Sequence, residues 1–374
     1  MKIDSIETFV AHMSLFVRIR TDTGLEGIGE GTFFAFPEAT AAIIDRFRPM
    51  LIGADPLRVE YLFLRLYRLV SMRGMGITSA LSAIDQALWD IRGKRFDAPI
   101  WEMLGGRVRD RVRAMLVLEY ASTEQLCANA KAAVDDGYTA LKILLFQNEH
   151  HPMTHAGRNK DMVDRMAALR DAVGSDVDLG VELHRNMMPG DSVALMQELR
   201  QFRPFFVEDP IVPDSVYAFG AVAAKSHLPM AAGERTTTIY EFAEYVDHGG
   251  ISYVRPDIGI AGGFTQLRKI CAMAEARHQA VLPHSVPNGP VATAAHVHMG
   301  FAAVTWDAQE HRPQDVAPLC DMVDAIFPVV NGFFNLPEKP GLGMVLNEAA
   351  LADMPPVKFE GHPAQRMDGS IAFR

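Results

Sequence analysis

The spacing of hydrophobic positions changes character near residue 110. Before it, apolar and polar residues alternate through KIDSIETFVAH and SLFVRIRTDTGLEGIGEG, where Phe16, Arg18 and Arg20 interleave with Val17 and Ile19 ahead of a Thr23–Gly24 turn. Successive side chains of a strand point to opposite faces, so these segments read as consecutive strands. FPEATAAIIDRFRPMLIG and ITSALSAIDQALWDIRGK switch to helical spacing. The second carries Ile77, Leu81, Ile84, Leu88 and Ile91 on one side, with Gly93 as its expected stop.

Beyond residue 110, short apolar runs cover 112–118, 139–146, 176–183, 204–208, 228–234, 251–257, 279–284 and 302–310. Helical patterns such as TEQLCANAKAAVDDG and FTQLRKICAMAEARH lie between them. Eight strands and seven intervening helices, repeating about every 25 residues, are what a parallel β/α barrel needs. An open doubly wound sheet also alternates, but no Gly-x-Gly-x-x-Gly follows the first strand. After residue 311 the alternation ends; NGFFNLPEKPGLG reads as loop, and PAQRMDGSIAFR as a hairpin on an Asp–Gly turn that packs back on the first unit. The expected division is an α+β unit over 1–110, the barrel over 111–320 and a returning segment over 321–374.

Composition narrows the function classes. Hydrophobic residues make up 49% and charged residues 22% of the 374, a globular balance that excludes disorder. The net charge of −10 and the lack of any basic run argue against nucleic acid and favour a cation as guest of any carboxylate-lined cleft. Cys127, Cys271 and Cys320 are scattered and odd in number, which fits neither a disulfide framework nor a thiolate metal site. No long apolar stretch occurs, so the expectation is a cytoplasmic protein without a membrane partner.

In barrels of this kind, polar residues at the C-terminal ends of strands are the candidates for chemistry. Here they are Lys142, Glu182 with His184, Glu208 with Asp209, Glu234, Asp257, His284 and Glu310. Glu182, Glu208 and Glu234 recur at intervals of 26 residues, one barrel unit each. A lone strand-end glutamate is most simply a surface acid. Three at matched spacing would converge, and converging carboxylates repel unless a cation lies between them. Oxygen ligands alone suit Mg²⁺ rather than Zn²⁺. Asp257 and His284 close neighbouring runs, and an aspartate that fixes an imidazole tautomer makes a general base.

These residues sit in motifs, SAIDQALWDIRGK, FFVEDP, AAGERT, VRPDIGIAGGFTQLRKICAMAEA and PHSVPNGPVATAAH, that resemble the mandelate racemase-like branch of the enolase superfamily over nearly the whole chain. EKPGLG followed by DGS looks most like its galactonate- and mannonate-type sugar-acid dehydratases. The resemblance implies an α+β capping domain over a (β/α)₇β modified TIM barrel, Mg²⁺ as cofactor and a symmetric homo-oligomer. It also implies Glu182, Glu208 and Glu234 as metal ligands, His284 with Asp257 as the base, and His184 as the acid that protonates a leaving hydroxyl. Glu310, Lys142 and Arg185 are expected beside the substrate. The expected reaction removes the proton alpha to an aldonate carboxylate and expels the β-hydroxyl, giving a 2-keto-3-deoxy acid. An epimerase, racemase or cycloisomerase on the same scaffold is the alternative, and a non-catalytic relative the third reading.

Three departures bear on this. Glu182 stands where the branch usually has Asp; Leu144 stands where racemases carry the second lysine of Lys-x-Lys; Arg185-Asn-Met-Met replaces a small glycine-containing turn. A lid is expected from 30–38 and 70–78, with Phe33 through Phe36 and Arg73 as contacts. His150, His151 and His155 are expected as solvated residues of a loop overhanging the mouth.

Overall fold

Strands β1 (Ile3–Ala11), β2 (Ser14–Thr21) and β3 (Glu26–Gly31) form an antiparallel sheet in that order. The computed structural model describes residues 1–32, 36–69, 73–119, 121–285, 287–357, 361 and 363–372. Helices α1 (Pro37–Leu51), α2 (Val59–Leu69), α3 (Met75–Arg95) and α4 (Ile100–Met103) follow. Helix α2 was not anticipated, although Val59, Leu62, Phe63 and Leu66 mark its buried face at helical spacing.

The sheet and α3 meet without intervening side chains. A Cβ on Gly27 would lie 2.1 Å from the Ala87 carbonyl oxygen, and one on Gly29 would lie 2.0 Å from that of Ala83. A Cβ on Gly31 would lie 2.8 Å from that of Ser79. Period two on the strand thus matches period four on the helix. Gly93 does not stop α3, which runs to Arg95. It is glycine because a Cβ there would come within 2.6 Å of Gly341 Cα. Helix α3 also carries the polar ties of its surroundings. Asp90 accepts from the N–H groups of Ile28 and Leu342 (2.9 and 2.8 Å), and Asp85 accepts from that of Thr265 (3.0 Å).

From residue 112, strand and helix alternate: β4 (Val112–Leu118), α5 (Thr123–Asp135), β5 (Ala140–Leu144), α6 (His155–Val173), β6 (Asp178–Glu182), α7 (Pro189–Leu199), β7 (Phe206–Glu208) and α8 (Val216–Ser226). Then come β8 (Met230–Ala232), α9 (Ile239–His248), β9 (Tyr253–Val254), α10 (Gly263–Glu275), β10 (Ala280–Val281), α11 (Pro290–Ala302) and β11 (Gln309–His311). Ser122, Thr154, Ser215 and Thr238 cap α5, α6, α8 and α9 by accepting from a first-turn N–H.

Neighbouring strands from β4 to β10 pair in parallel, and β11 pairs with β4. Between β10 and β11, Val281 bonds both Thr305 and Asp307 (2.8 and 2.9 Å), so the ring is continuous. Inside it, Met115, Ala140, Phe206, Ala231, Leu282 and Ala308 form an apolar plug. Gly180 makes room for it, since a Cβ there would come within 2.5 Å of the Phe206 ring.

NGFF is not loop. β12 (Val329–Val330) and β13 (Phe333–Phe334) form a hairpin whose β13 pairs with β4. Asn331 and Gly332 at φ 50° and 75° make the left-handed two-residue turn that Asn–Gly favours. The chain then returns to the first sheet. Val357 N–H donates to the His12 carbonyl (2.8 Å), and Glu348, opening α12 (Glu348–Ala352), pairs with Arg18. The Asp–Gly turn forms where it was expected, with Arg366 N–H on the Ser370 carbonyl (2.8 Å). No helix among the described residues is long and apolar enough to cross a membrane.

Candidate active site

Above the plug the barrel interior turns polar. Lys142 sits in the middle of β5 and is buried; its Nζ lies 2.8 Å from Glu182 Oε2, 2.7 Å from Glu208 Oε2 and 2.8 Å from Glu310 Oε2. Arg255, just past β9, is fully buried and donates from Nε to Glu208 Oε1 (2.6 Å) and through its other end to Glu310. Glu310 further accepts the N–H of Ser285 (3.0 Å). Glu310 is therefore a buried counter-ion to Lys142 and Arg255, and both cations hold its carboxyl well below the usual range against the effect of burial.

Arg255 lies inside an apolar run rather than at its end, so the strand-end pattern does not mark it. The available signal was a cation inside the apolar run ISYVRPD, a position that is costly to bury without carboxylate partners.

Strand register sets the next layer. Glu182 and Glu208 end β6 and β7 and are paired across them. Glu234 lies beyond β8, past Gly233 at φ 130°. One oxygen from each of Glu182, Glu208 and Glu234 lies within 4.8 Å of the others. Both strand-end turns are left-handed: His184 and Arg185 have φ 52° and 68°, and Asp209 has φ 39°. Such backbone costs roughly 1 kcal/mol per residue for non-glycine side chains. The two turns are tied together by the Arg185 N–H on the Asp209 carbonyl (2.6 Å), and the His184 N–H donates to Glu182 Oε1 (3.1 Å).

Arg185 is buried rather than open to a guest. Its guanidinium pairs with Glu234 and lies 3.6 Å from Asp209 Oδ2. Neither Asp209 side-chain oxygen has a hydrogen-bond partner among the described residues.

Five buried carboxylates (Glu182, Glu208, Asp209, Asp257 and Glu310) and the slightly exposed Glu234 thus face three fixed cations, Lys142, Arg185 and Arg255. The imbalance is visible in the acidities. Burial and the neighbouring Glu208 push Glu182 well above the ordinary carboxylate range. Burial with Glu234 and Glu208 pushes Asp209 up to about 8. Glu234 is held down at about 2, where Arg185 and His284 outweigh its burial. Three close oxygen donors in surplus negative charge fit a hard divalent cation such as Mg²⁺.

His284 and Asp257 meet as expected: His284 Nδ1 is 2.9 Å from Asp257 Oδ2, and His284 Nε2 is 3.6 Å from Glu234 Oε2. Burial works to lower the imidazole, but the bond to Asp257 and the nearby Glu234 and Glu310 carry it above its ordinary value. Leu144 stands beside Glu182 in the register and offers no base.

The loop histidines differ from expectation. His150 is buried, its Nδ1 accepting from Gln147 N–H (2.8 Å) and its Nε2 3.0 Å from Asp161 Oδ2. His151 is buried against Phe146, with ring centroids 5.0 Å apart. Only His155 is exposed, 3.2 Å from Asp191. Of the expected lid, Arg73 lies over the rings of Tyr67 and Tyr240, at 5.8 and 5.5 Å. Residues 33–35 and 70–72 lie outside the described residues.

The family model described as enolase C-terminal domain-like matches residues 125–350, and that of the mandelate racemase/muconate lactonizing enzyme N-terminal domain matches residues 3–105. D-galactonate dehydratase of Verminephrobacter eiseniae is 35% identical over 364 residues, 94% of each chain. A crystal structure of a candidate galactarate dehydratase from Agrobacterium radiobacter, with sodium and L-malate bound, superposes over 100% of both chains at TM-score 0.95 and 28% identity. A mandelate racemase/muconate lactonizing enzyme from Jannaschia is 31% identical at TM-score 0.88, covering 97% of this chain and 99% of its own.

Proposed function

Because the chain belongs to the mandelate racemase and muconate lactonizing enzyme family of the enolase superfamily, we propose that it is a Mg²⁺-dependent sugar-acid dehydratase, a hydro-lyase acting on an aldonate. The observation that carries this reading is the 3.6 Å approach of His284 Nε2 to Glu234 Oε2, which sets a proton acceptor against the carboxylate cluster. The 35% identity to a galactonate dehydratase supports the substrate class.

Each residue has a physical task in this reading. Asp257 holds His284 by Nδ1, so the Nε2 lone pair is free to take the proton alpha to the substrate carboxylate. Glu182, Glu208 and Glu234 would hold Mg²⁺, which supplies positive charge to the substrate carboxylate as that proton leaves. Lys142 and Arg255 keep Glu208 and Glu310 ionised inside the barrel. His184, at the neighbouring strand end, would give a proton to the departing β-hydroxyl. Arg185 and Glu310 act through the carboxylate network they are buried in, more than as open contacts for substrate. An isomerase reading lacks its second base, because Leu144 occupies that position.

The test is incubation of aldonates and aldarates with Mg²⁺, reading 2-keto acid formation. Turnover of at least one member is expected, and silence across the library would falsify the substrate class. His284→Asn should abolish turnover in a folded protein. Mg²⁺ at about 100 times its Kd should stabilise the chelator-treated protein by about 2.7 kcal/mol. Glu234→Gln should remove most of that shift.

A further inference from the structure

The base dyad is oriented by a residue of the capping sheet. Asp257 Oδ1 accepts two hydrogen bonds, from Gly259 N–H (2.7 Å) and from Asn288 Nδ2 (3.1 Å), leaving Oδ2 to His284. Both donors are held by Thr32, which directly follows β3. Thr32 N–H donates to the Gly259 carbonyl (3.0 Å), and Thr32 Oγ1 donates to Asn288 Oδ1 (2.6 Å).

The directions are forced. Asp257 Oδ1 accepts the Gly259 N–H and faces the Asn288 amide, so the amide turns its NH₂ toward Asp257 and its oxygen toward Thr32, whose hydroxyl then donates. All three residues are shut from water, with Thr32 at 6%, Asn288 at 5% and Asp257 at 1% exposure. No solvent competes for these bonds, so losing one leaves a buried polar atom unpaired. The approach also depends on position 259 being glycine, because a Cβ there would meet Thr32 Oγ1 at 2.2 Å.

We propose that Thr32 and Asn288 are positioning residues that set the aim of His284 through Asp257, so that correct seating of the capping sheet on the barrel is a condition for proton abstraction. This rests on the reading of His284 as the base. Neither residue reaches the reacting atoms. They act by holding the carboxylate that holds the imidazole, within the tolerance of a few tenths of an ångström that proton transfer demands.

The experiment uses the full-length protein with Mg²⁺ and the best sugar acid from the library. Thr32→Val keeps shape and removes the donor. It should lower kcat about tenfold, the cost of one buried oriented hydrogen bond, with KM within about twofold. The primary isotope effect with α-deuterated substrate should rise, because proton abstraction becomes more rate-limiting. Thr32→Ser, which keeps the hydroxyl, should restore most of kcat. Gly259→Ala, which displaces Thr32 from the other side, should reproduce the Val variant's kinetic pattern.

A spectroscopic arm is independent of turnover. In ¹⁵N-histidine-labelled protein, the downfield Nδ1–H resonance of His284, identified by its loss in His284→Asn, should shift or broaden in Thr32→Val and return in Thr32→Ser. An unchanged resonance with unchanged kcat overturns the proposal. So does a kcat loss that follows thermal stability, leaves the isotope effect at its wild-type value and is not restored by serine. If the wild type turns over nothing while the resonance responds as expected, the relay stands and the dehydratase reading falls.

Discussion

Lys142 shows how little a single residue's identity says without its neighbours. A lysine in LKILLF could be a stray surface charge. Here its ammonium bridges three carboxylates from three other strands, and Arg255 pairs with two of the same three, Glu208 and Glu310. Burial alone would discharge the amine, but the surrounding glutamates hold it protonated far beyond any working pH. Removing one member of a buried ionic network leaves the others uncompensated, at a typical cost of about 3–5 kcal/mol. Lys142→Met should therefore shift the urea midpoint by an amount corresponding to that loss. A change below about 1 kcal/mol would mean that the carboxylates reprotonate freely and that the lysine is not their main counter-ion.

Among the elements, the decisive fit is β3 against α3. Three alternate glycines let a strand and a helix approach at backbone distance, and that approach places Glu30 and Thr32 where they reach the barrel. Gly29→Ala would put a methyl 2.0 Å from the Ala83 carbonyl oxygen, so the two elements must separate. Overpacking of this kind costs about 1–3 kcal/mol, sometimes more. Denaturant unfolding should report a loss in that range, with kcat falling as well because Thr32 moves with the strand. Full activity in a destabilised Gly29→Ala protein would separate the seam from the chemistry. The period-two pattern of EGIGEG was legible as strand. That its glycines face a helix was not, because glycine carries no side chain whose polarity could mark the buried face.

For the whole molecule, the joint between cap and barrel is polar, and this makes its stability depend on pH. Glu30 is buried on β3, where its carboxyl accepts from Ser14 Oγ (2.9 Å) and from Gly289 N–H and Ala292 N–H (2.6 and 2.9 Å) at the start of α11. Burial outweighs these donors and pushes it up to about 7 from an ordinary 4.5. The fold binds this proton more tightly than the unfolded chain does. The group's contribution is thus complete below about 4.5 and is lost as pH rises through about 7, on the order of 3 kcal/mol in all. Wild-type Tm should accordingly fall more steeply between pH 5 and pH 8 than that of Glu30→Gln, even though the variant starts lower. Parallel curves would show that the α11 amides keep Glu30 ionised throughout.

What the sequence determined by itself was everything carried by a repeat. The eight apolar runs, the seven helices and the 26-residue interval of Glu182, Glu208 and Glu234 are local or periodic, so the barrel and the convergence of these three carboxylates could be read along the chain. The tertiary structure alone decided which charges neutralise which. Arg255 is separated from Glu208 by 47 residues and from Glu310 by 55, and Thr32 from Asn288 by 256. No periodicity connects such pairs. They meet because the ring closes and the glycine-lined sheet docks on it, and in an interior shielded from bulk water most buried polar groups then take a partner that packing brings within reach.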